Sequence, residues 1–277
     1  MKITIRILLV VVVVAVAGLG LGGAFVARAG PPGVLDDPHA VGKGTVEIIL
    51  ATSGAEQAGE TGLHGPIFDL TVGIVDGLDF LLVAEGFFVV GSEEPTQDDG
   101  VVVSGLKWQP IVGPDWNAAW TPVAIFELAG DKRVGISNAI QIERTLGRFA
   151  LGVDASYTWL NDGEDIWRGG VYGLFSATDS LTLLSEVWFE RSPECFDVAT
   201  LCVGQSEVSG RATDFAFNLG FDWEMLDAIH MLGSAGTGIE SDNRDRIEWQ
   251  AFFGFQYVWG PAGDDPDPLA LVERRSF

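Results

Sequence analysis

The fold of this chain is constrained most by a strict alternation of apolar and polar residues. Residues 214–223 read DFAFNLGFDW, so that large apolar side chains occupy every second position. Residues 149–159 and 247–259 alternate in the same way. Successive side chains of a β-strand point to opposite faces of a sheet. Each segment is therefore predicted to be a strand with one apolar face and one face that is polar or small.

Nine further segments alternate less strictly, and with the first three they give about twelve predicted strands. The predicted strands are 45–52, 66–74, 78–90, 101–109, 117–128, 134–144, 149–159, 166–176, 181–190, 214–223, 228–238 and 247–259.

Short and longer connections alternate between these strands. The short connections are 75–77, 110–114, 146–147, 178–179 and 224–227, and the longer ones are 53–65, 91–100, 129–133, 160–165, 191–210 and 239–245. A soluble sandwich has no reason to alternate in this way, whereas a transmembrane barrel has short periplasmic turns and longer outer loops. The predicted fold class is therefore all-β: a transmembrane, antiparallel, up-and-down β-barrel.

Large aromatic residues lie on one face of the strands and often near strand ends. Trp and Tyr are enriched where a membrane meets water, because their rings are amphipathic. The alternative for any single Trp is ordinary core packing. We predict an outward-facing aromatic girdle formed by Trp108, Trp120, Trp159, Trp223, Trp249, Tyr257 and Trp259.

Composition excludes several other classes of protein. Hydrophobic residues make up 47% of the chain, which is too many for a disordered protein. The formal net charge of −23 makes nucleic acid an unsuitable partner, because phosphate binding needs clustered Lys and Arg. One apolar run could span a bilayer as a helix, and it lies at the N-terminus, which excludes a bundle of membrane helices.

The N-terminal segment is typical of a secretory signal peptide. Lys2 and Arg6 precede the apolar run 7–16, and the small-x-small sequence 27–29 fits signal peptidase. An uncleaved anchor is the alternative. We predict a signal peptide over 1–29, a short periplasmic segment over 30–44, a barrel over 45–259 and an acidic, Pro-rich periplasmic tail over 260–277. This organisation predicts an outer-membrane location with both termini in the periplasm.

Cys195 and Cys202 are the two cysteines of the chain, and both lie in the longest predicted loop. Since an exported protein meets an oxidising compartment, we predict a disulfide between them. A metal pair is the weaker alternative, because no His lies near them to complete a tetrahedral ligand set.

Carboxylates are frequent on the polar faces of the predicted strands. They would give a lumen a negative field that favours cations or neutral solutes. The alternative is a network of polar groups that braces or plugs a narrow barrel. The predicted lumen lining is Glu47, Asp69, Glu85, Lys107, Asp154, Glu186, Asp214, Asp222 and Glu248, with Asp79 and Arg168 as further inward-facing groups.

Five short sequences resemble the outer-membrane transporter family associated with the meta-pathway of phenol degradation. They are 34–47 (VLDDPHAVGKGTVE), 69–80 (DLTVGIVDGLDF), 105–108 (GLKW), 151–154 (LGVD) and 180–186 (SLTLLSE). The resemblance extends over most of residues 34–259. It implies a barrel of about twelve strands and uptake of small solutes that are often aromatic or hydrophobic.

The chain departs from that family at its end, which is not the aromatic residue of a last strand. The signal for the barrel-assembly machinery would then be Phe255, Tyr257 and Trp259 inside the chain, or Phe277. The predicted partners are outer-membrane lipid, a small-molecule solute and this machinery.

No arrangement of residues points to an enzyme, a cofactor or a metal site. The sequence contains no Gly-x-Ser-x-Gly turn and no metal-ligand spacing. Passage of small solutes is the favoured function. The alternatives are a closed structural or adhesion barrel that binds through its long loops, and a secreted soluble β-sandwich.

Overall fold

The computed structural model describes residues 34–57, 60–90, 100–128, 133–161, 165–193, 211–242 and 247–260. Within these ranges the chain forms twelve strands that close into a single barrel, as the alternation predicts. The strands are β1 (Val46–Gln57), β2 (Glu60–Val75), β3 (Leu78–Val90), β4 (Val101–Ile111), β5 (Trp116–Glu127), β6 (Val134–Leu146), β7 (Phe149–Leu160), β8 (Asp165–Ser176), β9 (Leu181–Pro193), β10 (Arg211–Leu226), β11 (Ile229–Asp242) and β12 (Ile247–Trp259).

Each strand pairs antiparallel with its neighbours in the chain, and β1 pairs with β12 to close the barrel. Val46 lies opposite Trp259 in this closing pair, so the barrel begins and ends at the same rim. We call this rim the short-turn end, because the turns 76–77 and 147–148 also lie there. The opposite rim, where β9 ends at Pro193 and β10 begins at Arg211, is called the long-loop end.

The prediction of a long loop over 53–65 is wrong. Strand β1 continues to Gln57 and β2 begins at Glu60, and Gly54 lies opposite Leu63 in the ladder between them. The sequence SGAEQAGETG over 53–62 does not alternate in polarity. Strand ends that project beyond an apolar belt need no apolar face, so alternation cannot reveal them.

The outer surface of the barrel is apolar over most of each described strand. All nine Trp residues lie in the described ranges, and eight of them are exposed on the outer face, including Trp116 and Trp167, which the girdle prediction omitted. Phe149 and Trp159 lie ten residues apart on β7, which corresponds to about 34 Å along the strand. A tilt of about 40° reduces this to roughly 25 Å of height, which is the thickness of an outer-membrane apolar belt.

Glycine closes the tightest turns at the short-turn end. Gly77 has a φ of +75° and Gly147 a φ of +64°, values that side chains other than glycine rarely adopt. These turns join β2 to β3 and β6 to β7 through 76–77 and 147–148. The search of the described residues for a helix long and apolar enough to cross a membrane found none.

Candidate functional site

The polar faces of the strands turn towards the barrel axis. Asp154 and Asp214 are 6% and 1% exposed, whereas Phe253 is 45% exposed. This arrangement of buried acids and exposed aromatic rings is the reverse of that in a soluble protein, in which apolar side chains fill the interior. The barrel interior, rather than its surface, is therefore the place to search for a functional site.

Eight of the nine predicted lining residues lie on inward-facing positions of their strands. These are Glu47, Asp69, Glu85, Lys107, Asp154, Glu186, Asp214 and Asp222. The ninth, Glu248, is exposed. It lies at a register shift between β1 and β12, where Glu56 pairs with Trp249 and Gln57 with Ile247. The extra residue at such a bulge breaks the alternation that the prediction extrapolated.

The sequence analysis missed several other polar residues that the fold brings into the interior. On β6, Gln141, Glu143 and Thr145 are buried at alternate positions, and on β9 Glu190 and Ser192 are buried. The signal was present in the alternation of β6, where Ile136, Ile140 and Ile142 occupy the opposite face.

The segment that precedes β1 folds back into the barrel. At the short-turn end, the N–H of Gly44 donates to the carbonyl oxygen of Gly73 at 2.8 Å, and the N–H of Gly73 donates to Thr45 at 2.8 Å. Residues 34–41 then lie against inward-facing side chains of four strands. The segment predicted to lie in the periplasm thus occupies the interior, and we call residues 34–41 the inner segment.

Glu186 of β9 holds the start of the inner segment. Its Oε1 accepts a hydrogen bond from the N–H of Val34 at 2.9 Å, and its Oε2 accepts one from the N–H of Leu35 at 3.2 Å. The side-chain amide of Asn218 donates to the same carboxylate at 2.5 Å. One buried side chain therefore satisfies two backbone donors that would otherwise lose their hydrogen bonds to water.

Lys107 of β4 holds the middle of the inner segment. Its Nζ lies 2.9 Å from Oδ2 of Asp36 and donates to the carbonyl oxygen of Asp37 at 3.0 Å. Burial raises the pKa of the Asp37 carboxyl above its usual range, while His39 and Lys107 act in the opposite direction. The ammonium group of Lys107 thus offsets part of the cost of placing acidic residues in the interior.

The end of the inner segment is held by β4 again and by two further strands, β3 and β6. The N–H of Val41 donates to Oδ2 of Asp79 at 2.8 Å, and the N–H of Ala40 donates to Oε1 of Gln109 at 3.0 Å. Nε2 of His39 lies 2.9 Å from Oε1 of Glu143. These contacts fix the segment by its backbone as much as by its side chains.

One region of the interior is apolar, and Leu35 packs into it. The buried side chains of this cluster come from β1, β8, β9, β10, β12 and the inner segment: Leu35, Ala55, Tyr172, Leu184, Trp188, Ala216 and Ile247. Trp188 is 1% exposed, and it is the Trp that does not lie on the outer face. The position of this indole was not predicted, although the alternation that places Glu186 inside also places Trp188, two residues later, on the same face.

Acids dominate the electrostatics of the interior. Among the inward-facing strand residues that the structure describes, Lys107 and Arg168 are the permanently cationic side chains. Arg168 pairs with Glu190, while Lys107 pairs with Asp36 of the inner segment. His64 pairs with Glu85, and Nδ1 of His230 lies 2.8 Å from Oδ1 of Asp222.

A metal centre is not evident in this part of the chain. Within the described ranges, no group of three or more His, Cys, Asp or Glu side chains is placed to hold a metal ion. Cys195 and Cys202 lie outside the described residues, as do the predicted signal peptide over 1–29 and all but the first residue of the predicted tail over 260–277.

Comparison with solved structures identifies the fold. An outer membrane channel from Pseudomonas putida F1 superposes with a TM-score of 0.61 at 12% identity, covering 80% of this chain and 98% of the channel. The NanC porin superposes with a TM-score of 0.52 at 10% identity, covering 76% of this chain and 99% of the porin. The architecture is that of outer-membrane β-barrel channels.

No family model and no curated protein matches the chain. The resemblance to the transporter family of the phenol meta-pathway therefore stays a prediction.

Proposed function

We propose that this chain is an outer-membrane channel that passes small solutes through an acidic lumen. The observation that carries the proposal is the inversion of polarity, with buried carboxylates such as Asp154 and Asp214 inside an apolar outer belt. Such a barrel suits a lipid environment outside and a polar path inside. The short-turn end faces the periplasm in this proposal, with the signal peptide removed and the barrel inserted by the assembly machinery.

The lining favours solutes that are neutral or cationic. Carboxylates outnumber cationic groups on the described inward positions, so that an anion would meet repulsion along the path. The apolar cluster around Tyr172, Leu184 and Trp188 supports a solute that also carries an apolar or aromatic group.

A vesicle-swelling experiment tests passage directly. Purified protein in liposomes is expected to admit a monosaccharide, and removal of residues 34–41 is expected to raise the swelling rate severalfold. The inner segment contributes no strand to the barrel, so the shortened protein should still show heat-modifiable gel mobility. Folded protein that admits no solute in either form would contradict the proposal.

A closed barrel is the second candidate, and the inner segment is the observation that favours it. Contacts to β3, β4, β6 and β9 hold the segment across the interior. Closure by the inner segment predicts no swelling with the full-length protein and swelling only after residues 34–41 are removed, whereas a channel predicts that both forms admit solute.

A further inference from the structure

Three neighbouring strands form a compact site where the inner segment begins. In the register of β8, β9 and β10, Tyr172 lies opposite Glu186, and Glu186 lies opposite Asn218. In the next inward-facing row, Gly170 lies opposite Trp188, and Trp188 lies opposite Ala216. A polar row with a carboxylate at its centre thus adjoins a row in which two small residues flank an indole.

The second row leaves a gap that Leu35 fills. A Cβ atom at Gly170 would lie 2.3 Å from the carbonyl oxygen of Val187, 2.8 Å from Cα of Trp188 and 2.9 Å from Cδ1 of Leu35. The absence of a side chain at Gly170 therefore lets both the backbone of β9 and the isobutyl group of Leu35 approach it closely. The same isobutyl group belongs to the buried cluster with Tyr172, Leu184 and Trp188.

Two polar groups define what else the site could hold. Glu186 accepts backbone N–H donors from Val34 and Leu35, so its carboxylate is already used to bind nitrogen donors. Nε1 of Trp188 is buried and has no hydrogen-bond partner among the described residues. A buried donor without a partner costs free energy, and a ligand carbonyl could satisfy it. The two residues are two positions apart on β9, or roughly 7 Å along the strand.

We propose that Glu186, Trp188 and the gap at Gly170 form a binding site for a small amine that carries an apolar group the size of a leucine side chain. The inner segment occupies this site in the structure and competes with the ligand for it. The ammonium group binds Glu186, the apolar group takes the place of Leu35, and a carbonyl accepts from Trp188. This inference assigns a solute class to the channel proposed above and rests on that function.

Calorimetric titration of the purified full-length protein in detergent with L-leucinamide tests the site. Leucinamide should bind more tightly than glycinamide, which lacks the apolar group, and more tightly than 4-methylpentanoate, which carries a negative charge instead. Leu35→Ala should tighten leucinamide binding severalfold, because the competing side chain is removed. Leu183→Ala, on the outer face of β9, is the matched control and should leave leucinamide binding unchanged.

The role of the carboxylate is tested in the Leu35→Ala protein, where the side chain that competes for the apolar part of the site is removed. Glu186→Gln should weaken leucinamide binding about tenfold, because a hydrogen bond to a charged group is replaced by a neutral one. Glu47→Gln, another buried inward-facing acid, is the control and should leave binding unchanged. Heat-modifiable gel mobility shows that each variant is folded.

Equal binding of glycinamide and leucinamide, or no effect of Leu35→Ala or of Glu186→Gln, would overturn the proposed site. Failure of the channel function gives a different result. In that case leucinamide binds as expected, while neither the full-length protein nor the form without residues 34–41 admits solute into vesicles.

Discussion

Individual residues show how far local pattern predicts exposure. The alternation placed Phe253 outside and Asp214 inside, where the structure has them. It works because neighbouring residues of a strand face opposite sides of the sheet. It failed at Glu248, where a register shift interrupts the alternation. It also places Trp188 on the inward face, two residues from Glu186, a signal that the prediction overlooked.

Substitution of an outward-facing residue by arginine tests whether the outer face of the barrel contacts lipid. Val153 is 45% exposed near the middle of β7. Val153→Arg should lower the free energy of unfolding by about 2–4 kcal/mol, as charged residues at the bilayer midplane do. The measurement is a denaturant titration of protein folded into lipid vesicles.

The matched control is Leu226→Arg, an exposed residue at the short-turn end of β10. Its cost should be only about 0–1 kcal/mol, because the side chain reaches the interface. Equal costs at the two positions would show that the outer face of β7 does not lie in lipid.

At the scale of elements, the strands could be predicted but the inner segment could not. Every strand that alternates in polarity was located, while the extensions of β1 and β2 beyond the belt were missed because their sequence does not alternate. Residues 34–41 have no period, and their position depends on long-range contacts such as Lys107 with Asp36. Contacts between residues so far apart in the chain cannot be predicted from the local sequence pattern.

A glycine at the base of the inner segment tests how tightly the segment is held. A Cβ atom at Gly73 would lie 1.7 Å from the carbonyl oxygen of Gly42, so Gly73→Ala must displace the backbone there. The variant should show a higher single-channel conductance in planar bilayers, because the displaced backbone weakens the hydrogen bonds that anchor the inner segment at Gly73.

Gly173→Ala is the matched control for this variant. A Cβ atom there would meet Leu151 and Ser185 at an ordinary distance of 3.5 Å, and conductance should not change. If Gly73→Ala is folded by gel mobility and conducts like the unchanged protein, the segment does not restrict the path.

The whole molecule is a cylinder with reversed polarity and an acidic segment folded into it. The apolar outer belt explains why 47% of the residues are hydrophobic, and the inward-facing acids contribute part of the net charge of −23. Strand number, closure and the inversion of polarity could all be predicted, because they follow from alternation and connection length. Occupation of the interior by the inner segment could not be predicted, because it depends on contacts between distant parts of the chain.

The most direct test of the account is the reversal potential of single channels in a gradient of KCl. The account predicts cation selectivity, which should decrease when Asp154 and Asp214 are both changed to Asn. Asp179→Asn in the exposed turn 177–180 is the control and should leave the potential unchanged. A reversal potential of the sign expected for anions, or one that the double change does not alter, would contradict an acidic lumen that solutes cross.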